Sequence, residues 1–224
     1  NNIRDDFPIF KNHESLIYFD NASTTQKPTS VIKKITNFYS KYNANVHRGT
    51  YKIAEQATLE YENSRLEISK FLNCNSKEII FTKNTTESIN LVANSLNDYI
   101  LNDGDEVLIS EMEHHSNIIP WQLISKKKKI KLKYIPLLDS GKLDIKKFEF
   151  LISKKTKLIS ITQMSNLLGI VNPIDKIISI ARQNNILVMI DAAQSISHLK
   201  VDVKKMDCDF LVFSGHKILG PTGV

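Results

Sequence analysis

Two charged residues follow apolar segments of the sequence, at positions where a strand would present a side chain to a binding site. Asp191 comes directly after the apolar residues 186–190, and Lys217 comes shortly after residues 210–213. A carboxylate at the buried end of a strand needs a cation or a hydrogen-bond donor to stay ionised. A lysine in a partly desolvated site has a lowered pKa and can attack an aldehyde. The pair matches what pyridoxal 5′-phosphate requires, an amine for its aldehyde and an acid that keeps its pyridine nitrogen protonated.

A phosphate group needs hydrogen-bond donors, and the start of a helix supplies them. Asn84 and Glu87 have the spacing of a helix N-cap and its partner three residues later. This helix start would place the backbone N–H groups and hydroxyls of Thr85 and Thr86 at an anion site. The sequence contains no Gly-x-Gly-x-x-Gly or Walker motif, which disfavours a nucleotide-binding oxidoreductase.

Each of these features alone also fits an ordinary structural role. A strand-end Asp often caps a loop, paired threonines often cap a helix, and most lysines are exposed. The pair His114-His115 fits either metal ligands or loop histidines. A site is favoured because the carboxyl ends of parallel strands meet at one edge of a sheet. The polar residues that follow predicted strands are Thr85, Thr86, His114, His115, residues 163–166, Asp191, Gln194 and residues 214–217.

Hydrophobic periodicity predicts the elements that position these residues. Short apolar runs predict six strands, at residues 78–82, 106–110, 132–137, 157–162, 186–190 and 210–213. Helical periodicity lies between them, with Ser116 and Asn172 predicted as two of the caps. Strands alternating with helices predict βαβ units, so the expected fold class is α/β, a three-layer αβα arrangement with a mostly parallel central sheet. Residues 1–28 are predicted as an N-terminal segment and residues 29–224 as one large cofactor-binding domain.

The composition is that of a globular protein, with 42% hydrophobic and 24% charged residues. No apolar run approaches the roughly 20 residues that span a bilayer, so no membrane association is expected. The net charge is +6, but only four of the 30 basic residues are Arg. The lysine cluster at residues 126–129 lacks interleaved aromatic residues, so no nucleic-acid partner is expected. Cys74 and Cys208 have no metal-ligand spacing, which predicts neither a zinc site nor a disulfide framework.

Five segments of the sequence carry a family resemblance when they are taken together. They are Tyr18-Phe-Asp-Asn-Ala-Ser-Thr-Thr-Gln-Lys-Pro, Thr85-Thr-Glu-Ser-Ile-Asn-Leu-Val, Met112-Glu-His-His-Ser-Asn-Ile-Ile-Pro-Trp-Gln, Asp191-Ala-Ala-Gln-Ser and Ser214-Gly-His-Lys-Ile-Leu-Gly-Pro-Thr-Gly. In this order they resemble the class V aminotransferase family, and more narrowly the SufS-type cysteine desulfurases. The resemblance extends from about Phe7 to Val224 and implies the major domain of the pyridoxal-phosphate-dependent transferases of fold type I.

The resemblance implies a role for each matching residue. Lys217 would hold the cofactor aldehyde and move the α-proton of the substrate, Asp191 would pair with the pyridine nitrogen, and His114 would stack on the ring. Further cofactor contacts would come from Gln194 at the phenolic oxygen and from Thr86, Ser214 and His216 at the phosphate. Asn166 and, in a loop resembling one at the family's active site, Arg48 would lie near the substrate.

The activity implied by the resemblance is conversion of L-cysteine to L-alanine, with the sulfur passed on as a persulfide for iron–sulfur cluster assembly. The implied partners are L-cysteine or L-selenocysteine as substrate, a second copy of the chain in a homodimer, and a sulfur-acceptor protein. A bacterial cytoplasm is the expected compartment, with a plastid as the alternative. Three other functions stay open: a selenocysteine lyase, another class V enzyme such as a kynureninase or transaminase, and a truncated inactive scaffold.

The sequence departs from the family at its C-terminal end. In the family the nucleophilic cysteine and a substrate-binding arginine follow the lysine in a C-terminal part, and neither has a counterpart here. Cys74 and Cys208 lie in no matching motif and are interpreted as ordinary cysteines. Because the chain begins at Asn1 and ends at Val224, both ends are interpreted as cut and the small C-terminal domain as absent. We expect residues 1–224 alone to be poorly stable and unable to turn over cysteine.

Overall fold

The computed structural model describes residues 3–224, and its backbone contacts divide into two compact units. One unit comprises the described residues through Phe81 together with Gly215–Val224, and the other comprises Thr82–Ser214. The boundary expected after residue 28 is not tested by this division and stays a prediction. Residues 1 and 2 of that expected N-terminal segment lie outside the described residues.

The described chain contains helices, five strands and several short 3₁₀ turns. The α-helices are α1 (Ile9–Asn12), α2 (Thr29–Asn37), α3 (Lys52–Leu72), α4 (Thr85–Tyr99), α5 (Ile119–Lys127), α6 (Ile145–Leu151), α7 (Ile174–Gln183) and α8 (Val203–Met206). The strands are β1 (Glu106–Ser110), β2 (Lys131–Ile135), β3 (Thr156–Thr162), β4 (Leu187–Asp191) and β5 (Phe210–Val212). A π-helical turn, Phe38–Tyr42, continues α2. The 3₁₀ turns are Ile3–Asp6, Ser76–Glu78, His115–Asn117, Ser195–Ser197 and Gly215–Lys217.

The unit Thr82–Ser214 is built on one sheet. Its order is β2-β1-β3-β4-β5, and all four pairings between these strands are parallel. All five residues of β1 are buried, as expected for a parallel strand covered on both faces. The predicted α/β class with a parallel central sheet is therefore confirmed, together with five of the six predicted strands.

Alternate side chains of the strands pack against different helices. Val107 and Ile109 of β1 share a buried apolar cluster with α4 and α5. Successive side chains of a strand point to opposite faces, so Leu108 lies on the other face. Helices α6 and α7 contact β2 and β4, and their buried side chains Phe148 and Ile177 are fully excluded from solvent. The sheet is thus held between apolar helix faces, which fixes its carboxyl ends.

The other unit, described by itself, is mostly helical. Helix α3 ends at Asn73, which has a left-handed φ of 56°, and Cys74 N–H closes the end on the Ser69 carbonyl. Arg65 on α3 lies over the rings of Tyr61 and Phe81. These aromatic contacts hold the segment that follows α3 against the helix.

The predicted strand at residues 78–82 is wrong. Its first residue ends the 3₁₀ turn Ser76–Glu78, and Ile79 then has extended dihedral angles (φ −83°, ψ 123°). Among residues 3–224 no strand pairs with this segment, and Ile80 is exposed. A β-strand needs a neighbour for its backbone hydrogen bonds, and an apolar sequence pattern does not supply one.

Two predicted helix caps are also wrong. Pro173 occupies the N-cap position of α7, and the Asn172 side chain instead donates to the Thr162 carbonyl at 2.8 Å. Ser116 lies inside a 3₁₀ turn, and α5 begins three residues later at Ile119. Asn84 does cap α4 through the Glu87 N–H, as predicted. The Asn172 side chain is thus bonded to the end of β3, whereas Ser116 is bonded to its near neighbour His114.

None of the helices described between residues 3 and 224 is both long and apolar enough to cross a membrane.

Candidate functional site

The carboxyl edge of the sheet carries Asp191 as the last residue of β4. Asp191 is 3% exposed, and its Oδ1 accepts the Ala193 N–H at 2.9 Å. In the register of the sheet Asp191 stands beside Thr162, the last residue of β3. The Gln163 N–H donates to the Asp191 carbonyl at 2.9 Å, which extends the pairing by one residue. The backbone ladder therefore fixes the position of this buried carboxyl group.

Gln194 lies just beyond Asp191 and is also buried. It immediately precedes the 3₁₀ turn Ser195–Ser197. Ser195 Oγ donates to Gln163 Oε1 at 2.7 Å, which joins this turn to the end of β3. The structure thus brings Asp191 and Gln194, two predicted site residues, to the same buried part of the sheet edge.

The start of α4 brings together two of the predicted phosphate-binding residues. The Thr85 N–H donates to Ser214 Oγ at 2.8 Å, and the two hydroxyl oxygens are 2.7 Å apart. The sequence-based expectation that the Thr85 N–H is a free donor was wrong because this N–H donates to Ser214, while either hydroxyl group of the pair can be the donor to the other. Thr86 is exposed at the first turn of the helix. Its side chain and the Ser214 hydroxyl remain the groups best placed for an anion at this helix N-terminus.

His114 follows β1 and caps the short turn His115–Asn117. The Ser116 N–H donates to His114 Nδ1 at 3.2 Å, and the Ser116 hydroxyl lies 2.8 Å from the same nitrogen. A ring nitrogen that accepts an N–H carries no proton, so this contact assigns the proton of the neutral ring to Nε2. The His114 side chain is exposed, which leaves its ring face open to a planar ligand. No group of residues suited to hold a metal ion occurs in the described chain.

Asn166 is in the same unit but at a more exposed position. It lies in a short loop after β3 that is closed by a bridge between Met164 and Val171. The Ser165 hydroxyl, which accepts the N–H groups of Leu167 and Leu168, shapes the turn. The predicted contact of Asn166 with substrate stays a prediction.

Lys217, His216 and Arg48 belong to the other unit. Lys217 ends the 3₁₀ turn Gly215–Lys217 and is half-buried. The carbonyl of the preceding residue, His216, accepts the Thr25 N–H at 3.0 Å and the Lys27 ammonium at 2.8 Å. Thr25 Oγ1 also donates to this carbonyl and accepts the Leu219 N–H at 2.9 Å. We call residues 24–27 the threonine-lysine clamp, because their side chains fix the backbone on both sides of Lys217.

Glycine is required within the turn that follows Lys217. A Cβ on Gly220 would lie 2.8 Å from the Gly215 carbonyl oxygen, closer than such atoms approach. The Gly220 N–H donates to this carbonyl at 2.9 Å. The chain therefore turns back tightly after Lys217.

The pKa values of His216 and Lys27 are both lowered, which favours the neutral forms of these two basic groups. Burial lowers the pKa of His216, and the charges of Lys217 and Lys27 lower it further. Burial also lowers the pKa of Lys27. His216 Nδ1 lies 3.1 Å from Thr24 Oγ1. Near neutral pH the His216 ring is thus an uncharged hydrogen-bonding group.

Arg48 is exposed, and its neighbour His47 is held in an unfavourable backbone conformation. His47 has a φ of 73°, and its N–H donates to Thr58 Oγ1 at 2.9 Å. His47 Nε2 lies 2.9 Å from Glu62 Oε1. These contacts with α3 set the direction in which the chain presents Arg48. Its contact with substrate stays a prediction.

Cys74 and Cys208 are both free cysteines and form no disulfide. Burial raises the pKa of Cys208 to about 11, so this thiol is protonated at neutral pH. Cys74 is half-buried just after the end of α3. The interpretation of Cys208 as an ordinary cysteine agrees with its raised pKa.

Sequence reasoning missed three residues that organise these regions. Thr25 and Lys27 were quoted within a motif but received no role, because their contacts lie about 190 positions away in the sequence. Glu113 was also overlooked, although it lies between β1 and His114 and is buried. Its neighbours in the sequence, Ser110-Glu-Met-Glu-His-His, are mostly polar, so no local pattern marked Glu113 as a buried residue.

Comparisons with known proteins give a consistent result. The family model described as aminotransferase class-V matches residues 17–224. A cysteine desulfurase from Wigglesworthia glossinidia brevipalpis is 51% identical, with 99% of this chain and 55% of the relative covered. The putative cysteine desulfurase PbSufS from Plasmodium berghei is 53% identical over 99% of this chain and 44% of its own length. Both relatives are thus similar to this chain over nearly its whole length.

A solved structure is also similar. The apo structure of a cysteine desulfurase from Thermococcus onnurineus NA1 matches with a TM-score of 0.93 and 42% sequence identity, covering 99% of this chain and 54% of that one. The chain therefore spans about half the length of the curated relatives and the structure that it matches.

Proposed function

We propose, from the premise that this chain belongs to the aminotransferase class-V family, that it forms the cofactor-binding part of a pyridoxal 5′-phosphate-dependent cysteine desulfurase. The observation that carries the proposal is the buried Asp191 at the carboxyl edge of the parallel sheet, in the same unit as His114 and Ser214. In parallel sheets this edge is where ligands bind.

The chemistry of the donor set fits this cofactor. The start of α4, with Thr86 and the Ser214 hydroxyl, offers donors for a phosphate group. Asp191 is a buried carboxyl group that suits a protonated ring nitrogen. His114 has an exposed ring whose Nδ1 is already engaged, so the ring can lie against a flat heterocycle. The three features suit the phosphate, the ring nitrogen and the ring face of the cofactor.

Each proposed role follows from the chemistry of the side chain. When bound, pyridoxal 5′-phosphate supplies an aldehyde that bonds to an amine and a protonated ring that accepts electron density. Asp191 would hold the proton on the ring nitrogen, and the Gln194 amide would donate to the phenolic oxygen. His216, neutral because its pKa is lowered, would share the phosphate with Thr86 and Ser214. Thr85 would act by orienting Ser214.

Lys217 would hold the cofactor aldehyde and then move the α-proton of the substrate. It follows Ser214 by three residues in the sequence, so the short chain between them limits the distance between the two side chains. The clamp fixes the backbone at His216 and Leu219, on either side of Lys217. A fixed backbone lowers the entropy lost when the amine is oriented toward its target. Asn166 would lie near the substrate carboxylate, and Arg48 would lie near the substrate.

The reaction of the whole protein would convert L-cysteine to L-alanine and pass the sulfur to a thiolate as a persulfide. Cys208 does not supply that thiolate, because its raised pKa keeps it protonated. Cys74 lies in no motif of the family, in which the nucleophilic cysteine follows the lysine, so we assign the nucleophile to a cysteine outside residues 1–224. The proposal includes a homodimer, a sulfur-acceptor protein of iron–sulfur cluster assembly and a bacterial cytoplasmic location.

Covalent labelling of the full-length protein tests the proposal. We expect borohydride reduction of the protein loaded with pyridoxal 5′-phosphate to fix the label on Lys217. Lys217→Arg should abolish the label, whereas Lys204→Arg, on the exposed surface of α8, should retain it as a matched control. A protein that stays colourless and unlabelled would contradict the proposed cofactor.

Product analysis then identifies the reaction. A cysteine desulfurase should release alanine and persulfide sulfur in equal amounts from L-cysteine. A keto acid product would instead identify a transaminase, and turnover restricted to L-selenocysteine would identify a selenocysteine lyase. Either result would leave the cofactor assignment in place and overturn the proposed substrate.

A further inference from the structure

Glu113 is a buried carboxyl group that the proposed function does not use. It is 7% exposed, lies three positions after the end of β1 and directly precedes His114. Burying a carboxyl group costs free energy unless hydrogen bonds compensate for the lost water. The partners of Glu113 therefore indicate what this residue is for.

The Glu113 carboxyl group is bonded to three different parts of the fold. Its Oε1 lies 2.5 Å from the Ser110 hydroxyl at the end of β1 and accepts the Thr162 N–H at 3.0 Å. Its Oε2 accepts the Asn117 amide Nδ2 at 2.7 Å. Thr162 ends β3 and stands in register with Asp191. One side chain thus links the ends of two adjacent strands to the turn that His114 caps.

Asn117 can meet Glu113 in only one orientation. Its Oδ1 accepts the Trp121 indole N–H at 3.0 Å and the Ser160 hydroxyl at 2.5 Å, and its side chain is fully buried. Since the amide oxygen already serves two donors, Nδ2 must face position 113 as a donor. The network accordingly requires an acceptor at position 113, which a carboxyl group provides.

We propose that Glu113 is a positioning residue of the candidate active site, and that it fixes His114 through its own backbone and the capped turn, and Asp191 through Thr162. This inference rests on the proposed function, because it assigns Glu113 to the groups that would face the cofactor ring. Glu113 has no predicted contact with the cofactor or the substrate and would act through the residues that it positions.

The charge state of Glu113 is coupled to Asp191. Burial raises the pKa of Glu113 to about 7, its hydrogen bonds oppose this, and the negative charge of Asp191 adds to it. Asp191 on β4 is the charged group that acts on Glu113, whereas Ser110, Asn117 and Thr162 present no titratable group to it. The Ser110 hydroxyl can donate to the ionised form or accept from the protonated form. Glu113 can therefore gain or lose a proton near neutral pH without breaking the network.

The first test follows the Glu113 proton in the cofactor-free full-length protein. Carbon-13 NMR of the glutamate carboxyl groups should show one resonance that titrates near pH 7 and is missing in Glu113→Gln. In Asp191→Asn this titration should move to lower pH, because a negative charge has been removed. A midpoint near the ordinary 4.5, or one that does not move in Asp191→Asn, would overturn the coupling.

The second test uses a matched swap of donor and acceptor. In Glu113→Gln the new NH₂ group must face either the Asn117 NH₂ group or the Thr162 N–H, so two buried donors oppose each other in either orientation. In the double variant Glu113→Gln/Asn117→Asp the polarity is reversed and the hydrogen bond is restored. We expect the single variant to bind pyridoxal 5′-phosphate about tenfold more weakly and the double variant to recover most of this loss.

NMR of the His114 ring separates positioning from mere stability. If Glu113 positions His114, the His114 ring resonances should shift in Glu113→Gln and return in the double variant. A lowered melting temperature with unchanged His114 resonances and cofactor affinity would overturn the proposal. Failure of the proposed function would give a different result. Borohydride reduction would then fix no pyridoxal 5′-phosphate label on Lys217, whereas the titration of Glu113 would still depend on Asp191.

Discussion

The sheet edge of the unit Thr82–Ser214 and the Lys217 turn of the other unit are positioned in different ways. Asp191 and Thr162 are the last residues of neighbouring strands, and the backbone ladder sets their places. The Lys217 turn, Gly215–Lys217, is fixed by hydrogen bonds from the clamp at residues 24–27. The sheet edge is thus part of the core, whereas the turn depends on a few side chains.

This difference predicts how each region responds to substitution. A change in the buried network under the sheet edge should destabilise the whole unit, because its hydrogen bonds cannot be replaced by water. A change in the clamp should loosen the turn locally and leave the sheet intact. The following experiments test that contrast, beginning with the largest expected effect.

Asn117→Ala should cause the largest loss of stability. It leaves the Trp121 indole N–H, the Ser160 hydroxyl and the Glu113 carboxyl group without their shared partner. Unpaired buried polar groups cost about 1–3 kcal/mol each. Because the Ser160 hydroxyl can rotate to another partner, we expect the free energy of unfolding to fall by about 4 kcal/mol in total. Urea unfolding of the full-length protein measures this loss.

Asn184→Ala is the matched control for that substitution. Asn184 is exposed and donates only to the Ile180 carbonyl of its own helix end. Its removal should change the free energy of unfolding by less than about 0.5 kcal/mol. Equal effects of the two substitutions would contradict the importance of the buried network.

The pH dependence of stability should come next in size. The pKa of Glu113 is raised from 4.5 to about 7 in the folded protein, so the folded state retains a proton that the unfolded state releases. Its stabilising contribution is complete below about pH 4.5 and is lost as the pH rises to about 7. The loss is on the order of 3 kcal/mol.

Comparison of wild type with Glu113→Gln isolates this contribution. The difference in the free energy of unfolding between the two proteins, measured by urea unfolding from pH 4 to pH 8, should change steadily in this range and then level off. A difference that is constant with pH would show that Glu113 titrates normally in the folded protein.

Thr25→Val should have a smaller and more local effect. Valine keeps the shape of the side chain but loses the hydroxyl group that donates to the His216 carbonyl and accepts the Leu219 N–H. The Leu219 amide should exchange its hydrogen about tenfold faster, which corresponds to a loss of about 1 kcal/mol. The Gln163 amide, which is bonded at the sheet edge, should exchange at its original rate.

Thr36→Val provides the control for the clamp substitution. Thr36 is exposed on α2, and its hydroxyl donates to the Ile32 carbonyl within the same helix. Thr36→Val should leave the hydrogen exchange rate of the Leu219 amide unchanged. If Thr25→Val also accelerated exchange at Gln163, the contrast between the two regions would be wrong.

The smallest effect is expected for the charge of Lys27. Lys27→Met removes one of the two positive charges that lower the pKa of His216, so this pKa should rise but stay below 6.5 because burial remains the largest cause. Stability linked to His216 is present above its unfolded pKa and is lost as the pH falls. NMR titration of the His216 ring in both proteins measures the change, and an unchanged midpoint would exclude the Lys27 contribution.

The strands that carry the sheet edge could be predicted from local sequence patterns. Apolar runs identified β1, β3, β4 and β5 to within one residue at most ends, and Asp191 was recognised as a strand-end residue. The segment at residues 78–82 has the same apolar pattern but forms no strand, because pairing depends on a neighbour. A local pattern therefore predicts the tendency to be extended and leaves the pairing undecided.

The hydrogen-bond partners of the site residues could not be predicted in the same way. Glu113 meets Thr162 across 49 positions, Thr85 meets Ser214 across 129, and the clamp meets His216 across about 190. Serines, threonines and asparagines bond with many partners, so their types alone do not select one. The predicted Asn172 cap was wrong for this reason, because its side chain bonds to Thr162, and the roles of Thr25, Lys27 and Glu113 went unnoticed.

The amino-acid sequence by itself determined the parallel α/β architecture and the polar residues that follow its strands, because hydrophobic periodicity is set by neighbouring residues along the chain. Only the tertiary structure decided which donors and acceptors meet: Ser214 at the start of α4, the clamp on the His216 carbonyl, and the buried carboxyl group of Glu113 between β1 and β3. The physical reason is that buried polar groups must find partners within the folded core, and chain folding brings those partners from distant positions.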